Sequence, residues 1–453
     1  MLLDYIVYFA ITIGILVFVH EFGHFAAAKL SGMRADVFAI GFGKRLFGWN
    51  KITGFTFGEL PKDFDGQGNT DYRISLLPLG GYVKIAGMVD ESFDTEFANK
   101  KPEPYEFRSK PVHKKIFVIT AGVLMNLLLA FVIFWFANFF QGKQIIDTTT
   151  IGYVEPSSTA DSLGFKTGDV IISVNNVKID NWNQLEAEMF INTMGKNVNA
   201  ELRRGNKTVI LNIPRSRIPE QSELPLLIPQ GLKPPIIDSV LAETPAEKSG
   251  IKKGDLVVKI NKDEIQTREE AVGIISKHKS ESINLFVLRD KDTISLSATP
   301  DKEGKIGVLI AQNFKGKTKT ETYGFFESFY YSWRDIERVT DLTFTMLGRV
   351  ISGEIAFGKA FGGPIRIAEY AVKSANSGIS TFIGFIALLS LTLAIINIMP
   401  FPVLDGGHLL IIIIEGVIRR EIPIKVKVAI QNVGFVILLL LMAFILYNDI
   451  LNI

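Results

Sequence analysis

A histidine pair inside an apolar, helix-length segment constrains this chain more than any other sequence feature. The segment runs from Leu2 to Leu30 and contains the motif H-E-F-G-H at residues 20–24. Roughly 20 apolar residues cross a bilayer as a helix, so this segment is long enough to span a membrane. Ionisable side chains at membrane depth are costly and usually face a bundle interior or a wet cavity. The pattern therefore predicts a functional site within a membrane-spanning helix.

The spacing inside the motif is typical of a zinc site. His20 and His24 are four residues apart, so both imidazoles lie on one helix face and can reach one metal ion. Glu21, next to the first histidine, can hold and deprotonate a water molecule at the metal. A hydrolytic metal motif at membrane depth predicts that the bond to be cut is a peptide bond in or near the membrane.

A cleaved signal peptide is an alternative interpretation of the first 28 residues, since residues 26–28 are all alanine. However, the segment carries Asp4 and no basic residue before Lys29, whereas signal peptides begin with basic residues. The composition excludes other classes of protein. The net charge of +2 gives no indication of nucleic-acid binding, and the absence of cysteine excludes thiolate zinc ligands and a cysteine nucleophile.

Four apolar stretches are long enough to cross a bilayer: the motif segment and residues 116–140, 379–400 and 428–447. A shorter stretch at 409–418 predicts a continuation of the third helix beyond a break. Basic residues cluster before the second span and between the third and fourth: Arg108, Lys110, Lys114, Lys115, Arg419, Arg420, Lys425 and Lys427. The positive-inside rule makes both clusters cytoplasmic, so both termini and residues 142–378 are expected outside.

The outer segment contains an internal duplication. Six positions recur at a constant offset of 86 residues, as from Val154 to Val240. The first-copy members are Val154, Ala160, Gly164, Gly168, Asp169 and Asn175. Each copy continues with a short helical pattern and a pair of strands around a turn. The pattern resembles circularly permuted PDZ domains of bacterial proteases, which bind extended peptides and often capture a free C-terminus. The alternative is that the copies are spacers or a size gate.

A catalytic zinc site uses three protein ligands and a water, so the histidine pair needs one further ligand. Asp405 is the best candidate, within N-I-M-P-F-P-V-L-D-G-G-H at residues 397–408. The two prolines predict a helix break, and the glycine pair permits close approach of other groups. Irregular backbone at membrane depth is tolerated only inside protein or beside a wet cavity, so the break also favours a site here. His408 is an alternative metal ligand. The alternative without a metal is that Asp405 only caps the end of a helix. His113 and His278 lie in polar stretches and are expected to be surface residues.

The two motifs, together with the PDZ-like repeats between the spans, resemble the site-2 protease family of intramembrane metalloproteases over nearly the whole chain. The resemblance implies that His20, His24 and Asp405 bind Zn²⁺ and that Glu21 is the general base. It also implies that Asn397 helps to hold the substrate near the metal. Pro400 and Pro402 of the same motif are assigned to substrate binding with it.

Residues 38–57 and 73–84 predict strands and turns rather than helix. In the family this region resembles a membrane re-entrant β-hairpin with a Gly-x-Gly stretch, so Gly43, Gly80 and Gly81 are expected to contact substrate. An edge strand there would pair with an unwound substrate segment. The alternative is a cytoplasmic β-ribbon that serves only as a scaffold.

The expected fold is a polytopic α-helical membrane protein with four transmembrane helices and two tandem PDZ-like α+β domains inserted between the second and third spans. The predicted divisions are a membrane part at 1–145, PDZ-like domains at 146–216 and 236–305, a Pro-rich linker at 217–235, a juxtamembrane amphipathic segment at 306–378, and the last two spans at 379–453. Residues 324–339 predict an interfacial helix, either a gate or a plain anchor.

The resemblance further implies a bacterial inner-membrane protein with periplasmic PDZ-like domains and an active site near the cytoplasmic side. The implied substrates are single-span membrane proteins: an anti-sigma factor already trimmed outside by another protease in an envelope stress response, and remnant signal peptides. Membrane lipid and peptide C-termini are the other expected partners, and nucleic acid is not. Two rival interpretations remain: a membrane scaffold or chaperone that holds peptides and needs no zinc, and a zinc transporter, which would need polar residues along several spans.

Overall fold

The computed structural model describes residues 2–61, 64, 66–88, 101–154, 157–193, 196–218, 226–241, 243–353, 358 and 362–451. The chain divides into two compact units: Met1–Gly142 together with Thr322–Ile453, and Lys143–Glu321. We call them the membrane unit and the inserted unit. Residues 219–225 of the predicted Pro-rich linker lie outside the described residues.

Helices make up most of the membrane unit, and strands most of the inserted unit. The helices are α1 (Leu2–Leu30), α2 (Val112–Phe140), α3 (Thr159–Ser162), α4 (Trp182–Glu186), α5 (Pro245–Lys248), α6 (Arg268–Lys277), α7 (Phe325–Ile351), α8 (Pro364–Asn376), α9 (Ile379–Asn397), α10 (Asp405–Ile418) and α11 (Ile424–Leu451). The strands are β1 (Ala35–Asn50), β2 (Gly54–Phe57), β3 (Asp71–Ile85), β4 (Lys143–Ile146), β5 (Ile151–Tyr153), β6 (Val170–Val174), β7 (Val177–Lys178), β8 (Val198–Arg204), β9 (Lys207–Ile213), β10 (Ile228–Pro229), β11 (Leu232–Val240), β12 (Leu256–Ile260), β13 (Asp263–Glu264), β14 (Ile283–Arg289), β15 (Asp292–Ala298), β16 (Val308–Phe314) and β17 (Thr318–Glu321).

The four predicted spans are confirmed as helices. In the described part of the chain, α1, α2, α9 and α11 are long and apolar enough to cross a membrane. The stretch predicted to continue the third span is a separate 14-residue helix, α10, which follows the turn at residues 398–404. The break occurs where the sequence places Pro400 and Pro402, since proline lacks the amide hydrogen that continues a helix.

The first two spans pack with their backbones in close contact. Gly23 of α1 faces Ala121 of α2, and a Cβ added at Gly23 would lie 2.4 Å from the Ala121 carbonyl oxygen. Small residues allow this kind of approach between membrane helices. As a result, the helix face that carries the histidine motif is pressed against α2.

The predicted amphipathic segment forms α7, which packs along the second span. Asn138 of α2 donates hydrogen bonds to Ser332 Oγ at 3.0 Å and to Asp335 Oδ2 at 2.9 Å. Near the start of α7, the rings of Trp135 and Phe325 meet edge to face with centroids 4.8 Å apart. The helix therefore belongs to the membrane unit and has a fixed partner there.

The predicted strands at 38–57 and 73–84 are confirmed by a sheet of order β2-β1-β3 in the membrane unit. The first half of β1 lies between two parts of β3, as Ile40 pairs with both Gly81 and Ile74. Arg45 is buried at the bend of β1, where it forms an ion pair with Asp71 at 3.2 Å. A buried charge is tolerated only when it is paired and hydrogen-bonded, so this pair holds the bend in one conformation.

The duplication predicted from sequence is visible in the inserted unit as matching buried ion pairs. Asp169 and Asp255, at equivalent positions, are 0% and 1% exposed. Arg204 Nη2 contacts Asp169 Oδ2 at 2.8 Å, and Arg289 Nε contacts Asp255 Oδ1 at 2.7 Å. Each arginine also donates to the carbonyl oxygen of a glycine that follows a short helix, Gly164 after α3 and Gly250 after α5. The two copies therefore share local structure as well as sequence.

Each copy has its own apolar core, and the second reaches further along the chain than the predicted limit at residue 305. One core centres on Trp182, which is 2% exposed, and the other on residues such as Val257, which is fully buried. The sheet of the second copy has the order β15-β14-β12-β11-β16. Strand β16 (Val308–Phe314) pairs with β11 because Ile310 faces this second core. Strand β17 then pairs with β4 and closes the inserted unit.

Candidate metal centre

Three side chains from two helices converge at one point of the membrane unit. His20 and His24 come from the second half of α1, and Asp405 is the first residue of α10. The Nε2 atoms of the two histidines are 3.2 Å apart. Asp405 Oδ2 lies 3.2 Å from His20 Nε2 and 3.4 Å from His24 Nε2. Among the described residues these three form the group that could hold a metal ion.

The triangle of ligand atoms fits a tetrahedral zinc ion. Ligand atoms about 2.0–2.2 Å from such an ion lie about 3.3–3.6 Å from one another, close to the three distances found here. Asp405 Oδ2 is buried and has no hydrogen-bond partner among the described residues. A buried carboxylate oxygen without a donor is costly unless a cation satisfies it. The donor set, two imidazoles and a carboxylate, is also one that catalytic zinc sites use, with the fourth position left for water.

The second span fixes one of the imidazole rings. His24 Nδ1 lies 2.8 Å from the carbonyl oxygen of Val118, which can only accept a hydrogen bond. The proton of a neutral His24 is therefore on Nδ1, and Nε2 keeps its lone pair for a metal. Such backbone acceptors orient metal-binding histidines in many sites.

The carboxylate is placed by the turn between α9 and α10. A Cβ at Gly406 would lie 2.2 Å from the Met399 carbonyl oxygen, and one at Gly407 would lie 2.3 Å from that of Phe401. Both positions therefore require glycine. In the same turn Val403 has a positive φ of 80°, which is rare for a β-branched residue and which surrounding structure must enforce. Asp405 then lies in the first turn of α10, where the helix dipole favours a negative charge.

A cavity of about 60 Å³ opens at the three ligands. Its lining includes Glu21, which is 8% exposed, and the strand residues Tyr82 and Val83. A buried carboxyl group and an extended strand therefore border the same space as the three candidate ligands. His408, the alternative ligand, also lines the cavity, but its Nε2 lies 3.0 Å from Gln431 Nε2 of α11.

The six predicted substrate-binding residues do not share one location. Asn397 ends α9, and Pro400 and Pro402 lie in the following turn. A Cβ at Gly434 of α11 would lie 2.3 Å from Pro402 Cβ, so Pro402 packs against the fourth span.

The three predicted glycines lie in the sheet of the membrane unit. A Cβ at Gly81 would lie 3.1 Å from Glu21 Cγ, which places the backbone at Gly81 beside the Glu21 side chain. Gly80 instead faces the ring of Phe42, and Gly43 has no neighbour within 4 Å of its Cβ position. Substrate contact by these residues stays a prediction.

Sequence reasoning missed the contributions of Val118 and Val403. Val118 acts through its backbone carbonyl oxygen, so its side-chain identity carries no signal. Val403 is recognisable only by its backbone angle. Asn126 is an amide inside an apolar span, which is a signal that the sequence does carry.

Comparisons with known proteins agree with this site. The sequence pattern of peptidase family M50 matches residues 8–441. The chain therefore belongs to peptidase family M50, the site-2 protease family, and is a zinc metalloprotease of that type.

Individual relatives match along their whole length. A putative zinc metalloprotease of Vibrio cholerae serotype O1 is 32% identical over 97% of both chains. Protease RseP of Yersinia pestis is 31% identical, and the regulator of sigma-E protease RseP of Salmonella typhimurium is 29% identical, each with the same coverage. Together with the four apolar helices, these relatives indicate a bacterial membrane protein.

Proposed function

We propose that this chain is an intramembrane protease that cuts single-span membrane proteins in regulated proteolysis of a bacterial envelope stress response. The preferred substrate is an anti-sigma factor whose outer part has already been removed by another protease, and remnant signal peptides form a second substrate class. The observation that carries the proposal is the ligand triangle of His20, His24 and Asp405 inside an apolar helix bundle. Relatives of the chain that are named protease RseP and regulator of sigma-E protease support a role in an envelope stress response.

In this proposal His20, His24 and Asp405 hold Zn²⁺. When bound, zinc supplies Lewis-acid chemistry, since it lowers the pKa of water and polarises a carbonyl group. Glu21 takes a proton from the attacking water as the carbon–oxygen bond forms at the peptide carbonyl. Glu21 then gives that proton to the leaving amine nitrogen as the carbon–nitrogen bond breaks. The products are a new carboxyl group, which keeps the other hydrogen of the water, and a new amine, and Glu21 is regenerated.

The substrate must be extended to react, because a helical backbone shields its carbonyl groups. Strand β3 is at the edge of its sheet among the described strands, and its residues Tyr82 and Val83 line the catalytic cavity. An unwound substrate segment would add to this edge through main-chain hydrogen bonds. This supports a role for Gly81, whose backbone lies beside Glu21.

The proposed sidedness follows from the basic clusters and the position of the site. Val118, which contacts His24, is six residues after the start of α2 at Val112. At 1.5 Å per residue, this is about 9 Å along the helix from its start. Because Lys114 and Lys115 mark that end of α2 as cytoplasmic, the active site is near the cytoplasmic side and the inserted unit is periplasmic.

The repeats of the inserted unit are proposed to be PDZ-like domains. In the second repeat, β16 is the last strand in the order of described strands. Helix α6 lies beside it, because the backbone N–H of Arg268 in α6 donates to Gln312 Oε1 of β16 at 2.9 Å. An edge strand next to a helix is the arrangement that accepts an extended peptide. Two roles remain open: capture of the new C-terminus of a trimmed substrate, and exclusion of substrates that still carry a large outer domain.

The test is cleavage of a tagged single-span substrate, truncated on its outer side, co-expressed with wild type, Glu21→Gln or the exposed-site control Glu369→Gln. We expect wild type and Glu369→Gln to cut, and Glu21→Gln not to cut. If zinc is bound but no form cuts a panel of such substrates, the peptide-holding scaffold becomes the better account. Including the untrimmed substrate and a trimmed substrate with an amidated C-terminus separates a size gate from C-terminal capture.

A further inference from the structure

One face of the second span serves both histidines of the proposed zinc site. Val118, Gly122 and Asn126 follow one another at intervals of four residues, so they form a single stripe along α2. The carbonyl oxygen of Val118 accepts a hydrogen bond from His24 Nδ1 at 2.8 Å. Gly122 leaves room for the rings, and Asn126 Nδ2 lies 3.2 Å from His20 Nδ1. The outer nitrogen of each imidazole therefore has a partner on the same stripe.

Asn126 is fully buried in an apolar span, and among the described residues only one end of its side-chain amide has a hydrogen-bond partner. Its Oδ1 is buried and has no hydrogen-bond partner in the part of the chain that the structure describes, whereas its Nδ2 faces His20. The backbone carbonyl oxygen of Asn126 accepts a hydrogen bond from Ser390 Oγ at 2.8 Å, which ties this residue to α9. The oxygen and nitrogen of an amide are assigned from the hydrogen-bond network, so the two ends are exchangeable by rotation.

The chemistry of metal binding selects one of these two orientations. If Nδ2 donates to His20 Nδ1, the proton of the neutral ring is on Nε2, and Nε2 has no lone pair for a metal. If the amide is rotated, Oδ1 accepts from His20 Nδ1–H, and Nε2 is free to bind. The rotation gives Oδ1 a hydrogen bond and moves Nδ2 to the position that Oδ1 occupied, so metal binding, rather than the number of hydrogen bonds, decides between the two orientations.

We propose that Asn126 is a positioning residue for the zinc site, which accepts a hydrogen bond from His20 Nδ1 through Oδ1 and so fixes the ring and tautomer that bind the metal. The inference rests on the proposed zinc site. Partners of this kind typically change metal affinity by about 10–100-fold when they are removed. Asn126 would act through His20 and would not touch the substrate.

Two substitutions separate this role from simple packing. Asn126→Asp keeps an acceptor at nearly the same place, whereas Asn126→Leu keeps the branching at Cγ and removes the acceptor. A residue that only fills space in an apolar bundle would tolerate Leu better than Asp, because Asp brings a charge into the bundle. A residue that accepts from His20 would show the opposite order. Ser390→Ala is the matched control, since it removes a hydrogen bond to the Asn126 backbone and leaves the side chain in place.

The experiment measures the zinc dissociation constant of the purified full chain in detergent, by competition with a chromophoric chelator, for wild type and these variants, with His20→Ala as the ligand-loss reference. We expect Asn126→Leu to weaken zinc binding by about 10–100-fold, while Asn126→Asp and Ser390→Ala stay within about threefold of wild type. The cobalt absorption spectrum of the Leu variant should also shift, because the ring is no longer held.

The outcomes distinguish this inference from the proposed site itself. If His20→Ala loses zinc but Asn126→Leu binds as tightly as wild type, the role of Asn126 is refuted and the site stands. If Leu is tolerated and Asp is not, Asn126 is a packing residue. If wild type and His20→Ala bind zinc equally, the proposed site is wrong, and the inference fails with it.

Discussion

Gly122 of the second span faces His24 of the first so closely that a Cβ at Gly122 would lie 2.3 Å from His24 Nε2. The same Cβ would lie 2.8 Å from His20 Cε1. Because Gly122 has a hydrogen atom where alanine has a methyl group, two imidazoles fit between the two membrane helices. The metal site therefore depends on the absence of a side chain at Gly122 of α2 as well as on the two histidines of α1.

Gly122→Ala should abolish zinc binding while the protein still inserts and folds. The added methyl group overlaps both imidazoles, so the rings must leave the positions in which they can share one ion. Zinc content and the dissociation constant of the purified variant measure the effect. Gly384→Ala is the control, because a Cβ at Gly384 in the apolar helix α9 has no atom within 4 Å. Equal zinc affinity in both variants would contradict this account.

Gly407→Ala should displace the carboxylate ligand. The new Cβ would lie 2.3 Å from the carbonyl oxygen of Phe401, so the turn that precedes Asp405 must open. We expect loss of zinc and of cleavage, because a misplacement of about 1 Å at a catalytic group can cost on the order of 100-fold in rate. Gly416→Ala in the same helix has only an ordinary contact at 3.4 Å and should behave as wild type. Normal cleavage by Gly407→Ala would show that the turn tolerates change.

The sequence predicted the ligand residues because their chemistry is local. His20 and His24 follow from helix periodicity, and Asp405 follows from an acid placed beside a helix break at the same depth. The spans and the duplication were equally accessible, since apolar length and a constant offset are properties of the sequence. For the same reason the buried pairs at Asp169 and Asp255 confirm a relationship that was already visible.

The remaining parts of the site depend on contacts across long sequence distances. Val118 binds His24 through its backbone, 94 residues away in sequence, and no side-chain pattern encodes this. The position of Gly81 beside Glu21 depends on the register of a bent sheet whose pairing shifts several times. Similarly, strand β16 joins the second repeat only because its apolar residues complete a core formed earlier in the chain.

The buried pair of Asp255 and Arg289 should make the second repeat sensitive to acid. Burial alone would raise the pKa of Asp255, but the hydrogen bonds from Arg289 and from the Lys252 backbone N–H, together with the positive charges of both residues, outweigh burial and lower it below the ordinary value of 3.8. A carboxylate with a lowered pKa contributes stability above its unfolded-state pKa, and this stability is lost as the pH falls through the folded-state value. Hydrogen exchange of residues 236–314 should therefore increase below about pH 4.

Arg289→Met should remove this acid-dependent contribution and destabilise the second repeat at neutral pH. Breaking a buried pair leaves an uncompensated charge, and we expect a cost of about 3 kcal/mol, the low end of the usual range, because Arg289 is 24% exposed. Hydrogen exchange of the full chain measures the effect, with Lys262→Met, an exposed cation of the same repeat, as the control. Equal protection in the two variants would show that the pair contributes little.

Asp449 near the end of the fourth span should anchor α8. Its side chain is fully buried and accepts hydrogen bonds from the backbone N–H groups of Gly363 at 3.1 Å and Arg366 at 3.3 Å. Asp449→Leu leaves these groups without a partner, at a cost of about 1–3 kcal/mol. Hydrogen exchange should then rise in residues 364–376 and stay unchanged in the exposed control Asp341→Leu. Unchanged exchange in Asp449→Leu would mean that α8 is held by its apolar contacts alone.

The most direct test measures zinc content and cleavage in the same purified preparations of wild type, Glu21→Gln and Asp405→Ala, with a synthetic single-span substrate. The account predicts one zinc ion per chain and full cleavage for wild type. Glu21→Gln should keep the zinc and lose cleavage by on the order of 10²–10⁴-fold, since it removes the general base. Asp405→Ala should lose both. Cleavage at the wild-type rate by Glu21→Gln, or by a wild-type preparation free of zinc, would contradict the central claim.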